Sequence, residues 1–315
     1  MASNRIVLVA GALLAAVVAV TAAAPWLKTP VLLALANGLA VCGVIVLIRA
    51  GQVSFGHAMF ASLAGYGVAF MGRAWQLDAL LLIALGTLGA ALAGALIGLF
   101  MVRYRGIFFG MLNLAFSMVL FSVLGKFGHV TGGTDGLRFD RPTFAGQTLE
   151  RAGFETALLA LALVLALAAG WVVMRYFASA NGQALAAIKT NETRLEYLGI
   201  SAKRVFWGGY VLSATLCGLG GSVFALTQGL VTPEMGYWVR SGEIVFIAIL
   251  GGSGHALGAF IGAFVFEFVK LYAAALLTGA WQMVLGLVLI VMVFVAPTGI
   301  FGLLSRRLAG AGAAR

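Results

Sequence analysis

The stretch ALLLIALGTLGAALAGALIGLFMV, residues 79–102, carries no charged side chain from end to end. A helix needs about 20 apolar residues to cross a hydrocarbon core of about 30 Å, so this stretch is long enough to span a membrane. Similar apolar runs lie on both sides of it, at residues 6–24, 31–48, 53–71, 106–124, 156–175, 205–227, 256–277 and 281–296. The sequence therefore predicts an all-α polytopic membrane protein.

The composition supports the same class. Hydrophobic residues make up 62% of the 315-residue chain and charged residues 10%, whereas a soluble protein has about 25% charged residues. No polar stretch is long enough for a separate soluble catalytic domain, so residues 1–315 are predicted to form a single transmembrane domain. The net charge of +10 comes from basic residues that lie singly or in pairs between apolar runs, which is typical of cytoplasmic loops and not of nucleic-acid binding.

A shorter apolar piece predicts a broken helix. Residues 243–250 are followed by Gly251-Gly252-Ser253-Gly254, and at about 1.5 Å per residue this piece would cross about half of the membrane. Counting it, about ten crossings place the main basic clusters on one side of the membrane. The resulting topology has a cytoplasmic loop at about 178–204, an external loop at about 125–155, and both termini in the cytoplasm.

The first apolar run has two interpretations. Arg5 precedes it, and Ala22-Ala23-Ala24 resembles the small-residue site at which a signal peptide is cleaved. The run at 6–24 is, however, longer than the usual signal-peptide core of about 7–15 residues. A retained first span is therefore favoured over a removed signal peptide.

Polar side chains lie at the start of the run at 53–71. Gln52, Ser54 and His57 belong to the sequence GQVSFGHAMF, residues 51–60. Polar groups at membrane depth are costly without partners, so they usually face the interior of a helix bundle or a water-filled path. We expect these three residues to face the translocation path, with hydrogen bonding between helices as the alternative.

A long polar connection has the pattern of two short amphipathic helices. Residues 182–199 divide at a polar turn, and Gly199 is placed to end the second helix. Because a merely solvated loop needs no apolar ridge, the pattern favours an element that docks on a partner. The side chains that would form this ridge are Leu185, Ile188, Leu195 and Leu198.

Ionisable groups in the later runs are few. Glu267 and Lys270 are three positions apart, share one helical face, and are predicted to form a structural pair. A proton relay through such groups would instead indicate an ion-coupled secondary transporter.

Catalytic and metal-ligating patterns are not visible in the sequence. The three histidines lack the spacing of a zinc site, and the glycine-rich stretch 131–137 lacks the Gly-Lys-Ser/Thr end of a nucleotide-binding loop. Cys42 and Cys217 lie in apolar runs, which is typical of inert buried thiols. We therefore expect a protein that is not an enzyme and that needs no cofactor or metal.

Five motifs in order resemble the membrane permease subunits of ATP-binding-cassette (ABC) importers for branched-chain amino acids, of the LivM type in the LivH/LivM family. The resemblance covers about residues 30–303, and the five together are far more specific than any one of them. The motifs are residues 52–60, 131–137, 181–200, 249–254 with Gly258, and 296–302.

The resemblance implies a type II ABC importer-like permease bundle in the bacterial cytoplasmic (inner) membrane, without ATPase activity of its own. Its implied partners are a second, LivH-like permease, two cytoplasmic ATP-binding subunits and an extracytoplasmic substrate-binding protein. Branched-chain or similar aliphatic amino acids are the implied substrates. Urea or a short amide is the alternative, since relatives with much the same motifs import them.

In that family a cytoplasmic coupling loop docks on the ATPase, and residues 182–199 match it. The residues expected to make or shape the contact are Gly182, Leu185, Ala186, Ile188, Glu192, Arg194, Leu195 and Gly199. The sequence departs from the family pattern where Gln183 replaces the usual arginine and where larger residues stand at Thr193, Leu195 and Glu196. These departures bear on which ATPase fits the loop.

Overall fold

The computed structural model describes residues 21, 24–276, 281–296 and 298–303. The predicted first span at 6–24 lies outside the described residues except for Thr21 and Ala24, and the basic tail from residue 304 onward lies outside them as well. The helices, in chain order, are α1 Lys28–Arg49, α2 Ala58–Trp75, α3 Ala79–Met101, α4 Gly106–Lys126, α5 Arg151–Ala178, α6 Ala180–Thr190, α7 Glu192–Tyr197, α8 Ala202–Gln228, α9 Trp238–Gly251, α10 Ala256–Leu276 and α11 Trp281–Val295.

Short elements fill the connections between these helices. Two strands, β1 Leu137–Arg138 and β2 Leu230–Val231, pair antiparallel and join the connection after α4 to the end of α8. The remaining turns are a single α-helical turn at Gly128–Thr131 and 3-10 turns at Pro25–Leu27, Gly133–Asp135 and Pro233–Gly236.

Six of the described helices are long and apolar enough to cross a membrane, namely α1, α3, α4, α5, α8 and α10. They confirm the helical, polytopic class, but they are fewer than the ten crossings that the sequence predicts. The other predicted runs correspond to α2, α9 and α11, with 18, 14 and 15 residues. The count of ten therefore stays a prediction.

Two predicted boundaries are wrong. The run at 53–71 becomes helical only at Ala58, because Gly51 turns the chain out of α1 and the side chains of Gln52 and Ser54 accept backbone hydrogen bonds within the non-helical residues that follow. The broken piece predicted at 243–250 is α9, which begins earlier, at Trp238. Its glycine end is confirmed, since the next residue, Gly252, has a φ of 95°, a backbone conformation that favours glycine.

The core of the bundle lies around α1 and α8. In an 18-residue apolar stretch of each helix, 89% of α1 and 72% of α8 is buried, against 28% for both α3 and α4. Glycines let α8 approach its neighbours: a side chain at Gly220 would overlap the backbone of α1, and one at Gly221 would overlap the backbone of α2. Small residues permit such close contact between membrane helices.

Contacts define two ends of the bundle. At one end, which we call the α6–α7 end, the Arg49 guanidinium at the end of α1 stacks 4.5 Å from the centroid of the Phe177 ring. At the other, the β1–β2 end, the Lys28 amine donates a hydrogen bond of 2.7 Å to the Thr156 hydroxyl. α1 and α5 therefore both run from the β1–β2 end to the α6–α7 end.

Candidate translocation and coupling site

The connection between α1 and α2, residues 50–57, is not helical; we call it the 50–57 segment. Gly51 has a φ of 71° and turns the chain out of α1 in a conformation that is cheap only for glycine. The segment then lies against α4, so closely that a side chain at Gly56 would overlap the backbone of Asn113. Glycine is therefore required at both the turn and the contact.

The polar side chains of the 50–57 segment point into the protein. Gln52 is 8% exposed, and Ser54 and His57 are 0% exposed. The Gln52 side-chain oxygen accepts a hydrogen bond of 2.6 Å from the backbone N–H of Gly106, at the start of α4. The Ser54 hydroxyl lies 2.6 Å from the Nδ1 atom of His57 and accepts a hydrogen bond from the N–H of Gly56.

His57 packs against groups from two other helices. Its ring meets the Tyr210 ring edge-on, with 5.6 Å between centroids. The Tyr210 hydroxyl donates to the Asn113 side-chain oxygen at 2.7 Å, and the Asn113 amide donates to the Phe109 carbonyl at 2.8 Å. Among the described residues, the Nε2 atom of His57 has no hydrogen-bond partner. The structure thus brings Gln52, Ser54 and His57 to one junction of α2, α4 and α8.

The other side of the 50–57 segment is apolar. Val53 is 39% exposed and Phe55 is 37% exposed, so buried and exposed side chains alternate along it. Gln52, Ser54 and His57 therefore anchor the segment within this chain. That their side chains face a translocation path stays a prediction.

The two short helices predicted within residues 182–199 are present as α6 and α7. Ser179 caps α6 by accepting a 3.2 Å hydrogen bond from the N–H of Gly182, and the Asn191 side-chain oxygen caps α7 at 3.1 Å. Gly199 follows α7 with a φ of 76°, which confirms the glycine stop. Gly182 serves close packing and not a turn, because it lies in the first turn of α6 and a side chain there would overlap the Tyr176 carbonyl.

The apolar residues of this pair divide between two surfaces. Leu185, Ile188 and Leu195 are 0%, 7% and 5% exposed, because they pack within the chain; Leu185, for example, lies against Gly209 of α8. They seat the pair on the bundle and are not available at its surface. Ala186 is partly exposed.

The surface that the α6–α7 pair presents is at its end. Tyr197 is 87% exposed, Leu198 is 75% exposed and Ile200 is 38% exposed; we call these three residues the apolar tip. Arg194 is exposed nearby. Large apolar side chains exposed together indicate a contact surface.

Glu192 is held by the bundle. Its two carboxylate oxygens accept hydrogen bonds from the Arg105 guanidinium at 2.9 and 3.1 Å. The same guanidinium donates to the carbonyls of Val102 and Tyr104 and stacks 4.3 Å from the centroid of the Phe206 ring. Arg105 therefore fixes α7 to the α3–α4 connection and to α8.

A second polar cluster lies between α1, α9 and α10. Arg240 forms an ion pair with Glu243 and donates a 2.8 Å hydrogen bond to the side-chain oxygen of Asn37. The Asn37 amide donates to Glu267, and the Lys270 amine lies 4.0 Å from Glu243. The two residues predicted as a simple pair, Glu267 and Lys270, thus belong to a network of two cations and two carboxylates.

Comparison with known proteins decides the family. Residues 27–294 match the family described as the branched-chain amino acid transport system permease component. The chain belongs to this family.

The relatives of this chain are named for different transport systems. The high-affinity branched-chain amino acid transport system permease protein LivM of Escherichia coli (strain K12) is 26% identical over 240 residues, 70% of this chain and 56% of LivM. LivH of the same organism is 29% identical over 148 residues, 46% of this chain and 47% of LivH. The autoinducer 2 import system permease protein LsrC of Klebsiella pneumoniae subsp. pneumoniae is 31% identical over 212 residues, 64% of this chain and 58% of LsrC.

The permease spans about half the length of these curated relatives. No solved structure matches it.

Several residues of the polar sites were not predicted from the sequence, among them Arg105 and Asn37. Arg105 has no local signal, because its partner is 87 positions away and no local spacing indicates the pair. Asn37 has a signal that could have found it, since it is a lone amide within the apolar run at 31–48.

A cavity of about 430 Å³ opens at the β1–β2 end, where its polar lining includes Asp140, Arg141, Arg151 and Glu155. In the described ranges there is no group of three or more His, Cys, Asp or Glu residues that could hold a metal ion.

Proposed function

We propose that the chain is the pore-forming permease subunit of an ABC importer for branched-chain or similar aliphatic amino acids in the bacterial cytoplasmic membrane. The family match over residues 27–294 carries the proposal. The names of LivM and LivH assign those relatives to branched-chain amino-acid transport, and the apolar helices suit a membrane subunit. In this proposal separate subunits hydrolyse ATP, and the chain itself transports the substrate and catalyses no reaction.

The α6–α7 pair is proposed as the coupling loop that docks on the ATP-binding subunits. Its support is the division of its apolar residues. Leu185 and Leu195 fix the pair to the bundle, so displacement of the pair displaces the helices beneath it. Tyr197 and Leu198 at the apolar tip are available to fill a groove on the ATPase, as aromatic and aliphatic anchors do at protein interfaces.

Contacts extend from the coupling loop to the 50–57 segment. Glu192 of α7 binds Arg105, and the next residue, Gly106, donates its N–H to Gln52. A movement of α7 therefore reaches the connection between α1 and α2 through the start of α4. Such a contiguous set of contacts is a physical route by which ATP binding could switch the pore.

The proposed topology has ten crossings with both termini in the cytoplasm. The α6–α7 end carries Arg49, Arg105, Lys189 and Arg194 and is assigned to the cytoplasm, where basic residues gather. The β1–β2 end, with its cavity, is then the external face on which the substrate-binding protein docks. A second, LivH-like permease completes the membrane unit.

The test is uptake by the reconstituted complex. We expect proteoliposomes that contain the chain, a LivH-like permease and two ATP-binding subunits to take up leucine only with ATP and the loaded binding protein. Uptake driven by a proton or sodium gradient without the ATPase would show an ion-coupled transporter. ATP-driven uptake of urea, a short amide or autoinducer 2 in place of leucine would show that the chain belongs to an ABC importer but that its substrate is not a branched-chain amino acid.

A further inference from the structure

The 50–57 segment has two chemically different sides. Gln52 and Ser54 are buried, whereas Val53 and Phe55 between and after them are 39% and 37% exposed. Successive side chains of an extended chain point to opposite faces. In a soluble protein the apolar face would be buried and the polar face exposed. Here the polar face is buried and the apolar face is exposed.

This segment starts at the α6–α7 end, where Gly51 lies against Lys189 and Gln52 bonds Gly106, and from there it runs into the bundle. Gly56 meets Asn113, which is about 10 Å along α4 from its start at about 1.5 Å per residue. His57 packs on Tyr210, which by the same measure is about 12 Å along α8. Both helices are long enough to cross a membrane, so the end of the segment at Gly56 and His57 reaches membrane depth. Val53 and Phe55 lie level with Gly110, about 6 Å along α4.

The backbone of the exposed side is not satisfied within the chain. In the part of the chain that the structure describes, the N–H groups of Val53 and Phe55 have no hydrogen-bond acceptor. Irregular backbone at membrane depth is tolerated only where protein buries it or where it lines a water-filled cavity, because lipid offers no acceptor. The exposed side of the segment therefore does not face lipid.

We propose that Val53 and Phe55 line the water-filled translocation path and contact the aliphatic side chain of the transported amino acid. The proposal rests on the proposed function and adds the residues of the path. The two exposed side chains give an apolar surface for the substrate, and the two N–H groups donate to water in the path. Gln52 and Ser54 hold this lining in place from behind.

Thiol labelling distinguishes the two sides of the segment. Val53→Cys and Phe55→Cys are compared in the assembled complex, in proteoliposomes, using a membrane-impermeant thiol reagent. Ser54→Cys is the buried control, and Leu88→Cys, 53% exposed on the apolar surface of α3, is a control for a site facing lipid. The native thiols Cys42 and Cys217 are both 0% exposed, so the unmodified chain gives a low background.

We expect the reagent to modify Val53→Cys and Phe55→Cys faster than both controls, to block uptake, and to react more slowly when saturating leucine is present. Equal, slow reaction of all four variants would overturn the proposal, since it would place the exposed side against lipid or protein. If the two variants were labelled rapidly but the unmodified complex showed no ATP-driven uptake, Val53 and Phe55 would still line a water-filled path, and the proposed importer function would be wrong.

Substrate selectivity gives a second readout. Because it is a ratio of two uptake rates, it does not change when a variant yields less folded protein. Phe55→Ala should change the ratio of leucine to valine uptake, because it removes bulk from the surface that the aliphatic side chain passes. Ser54→Ala acts through the position of the segment and should lower uptake of both amino acids alike. An unchanged ratio in Phe55→Ala, with uptake retained, would contradict a contact between Phe55 and substrate.

Discussion

Glu192 in α7 and Arg105 in the α3–α4 connection share two hydrogen bonds, at 2.9 and 3.1 Å, although 87 positions separate them in the sequence. Their side chains are 33% and 23% exposed, and partly solvated ion pairs usually contribute only about 0–1 kcal/mol to stability. The bridge is therefore more important for position than for stability. It ties α7 to the start of α4.

Breaking this bridge should uncouple transport without unfolding the permease. We expect Glu192→Gln to reduce ATP-driven uptake by about 2- to 30-fold, which corresponds to a coupling energy of about 0.5–2 kcal/mol. Binding of the ATP-binding subunits should persist, because the apolar tip is unchanged. Uptake and ATP hydrolysis are measured in the same proteoliposomes.

The matched control is a second carboxylate–guanidinium pair. Arg151 and Glu155 are bridged at 2.9 Å at the start of α5, far from the coupling loop, so Glu155→Gln should leave the number of ATP molecules hydrolysed per substrate molecule unchanged. The exchanged pair Arg105→Glu with Glu192→Arg should recover part of the lost uptake. A Glu192→Gln variant with the uptake rate and ATP consumption of the wild type would show that the bridge does not transmit movement.

The apolar tip and the buried side of the coupling loop should respond differently to truncation. Tyr197→Ala and Leu198→Ala should each weaken ATPase binding by about 10-fold or more, as loss of an interface anchor does, with unchanged thermal stability. Leu185→Ala, at a 0% exposed position, should instead destabilise the permease by about 2–5 kcal/mol. Binding is measured by interferometry and stability by thermal unfolding in detergent. If Leu185→Ala weakened ATPase binding and the two tip variants did not, the buried residues would make the contact with the ATPase.

The class of the protein could be predicted from its sequence, because long uncharged runs have one stable solution in a bilayer. The α6–α7 pair was predictable for a local reason, since Asn191 and Gly199 are capping residues whose effect is confined to one turn. The inward position of Leu185 was not, because an amphipathic pattern defines an apolar face without saying which surface covers it. The non-helical 50–57 segment was missed because mean hydropathy adds Val53 and Phe55 to a helix run, whereas Gln52 bonds to Gly106, 54 positions away.

The anchor at Gln52 gives a stability prediction as well as a transport prediction. Gln52→Leu removes the acceptor of the Gly106 N–H, and loss of a part-buried hydrogen bond costs about 0.5–1.5 kcal/mol. We therefore expect both a lower melting temperature and lower uptake. Gln147→Leu, at an exposed position of the β1–β2 end, is the matched control for stability and should leave the melting temperature unchanged. If Gln52→Leu lost uptake at full stability, Gln52 would act on the path directly and not as an anchor.

The charged network between α1, α9 and α10 should depend on its balance of charge. Arg240 and Glu243 are only 17% and 16% exposed, and removing one member of a buried pair costs about 3–5 kcal/mol because the other is left uncompensated. Glu243→Gln leaves Arg240 without its ion pair, so we expect a marked fall in the melting temperature. The double variant Arg240→Met with Glu243→Leu removes both charges and should unfold nearer to the wild type, as replaced buried pairs often do. Recovery of ATP-driven uptake in the double variant would identify this pair as structural, whereas a stable double variant that no longer transports would place it in the substrate path.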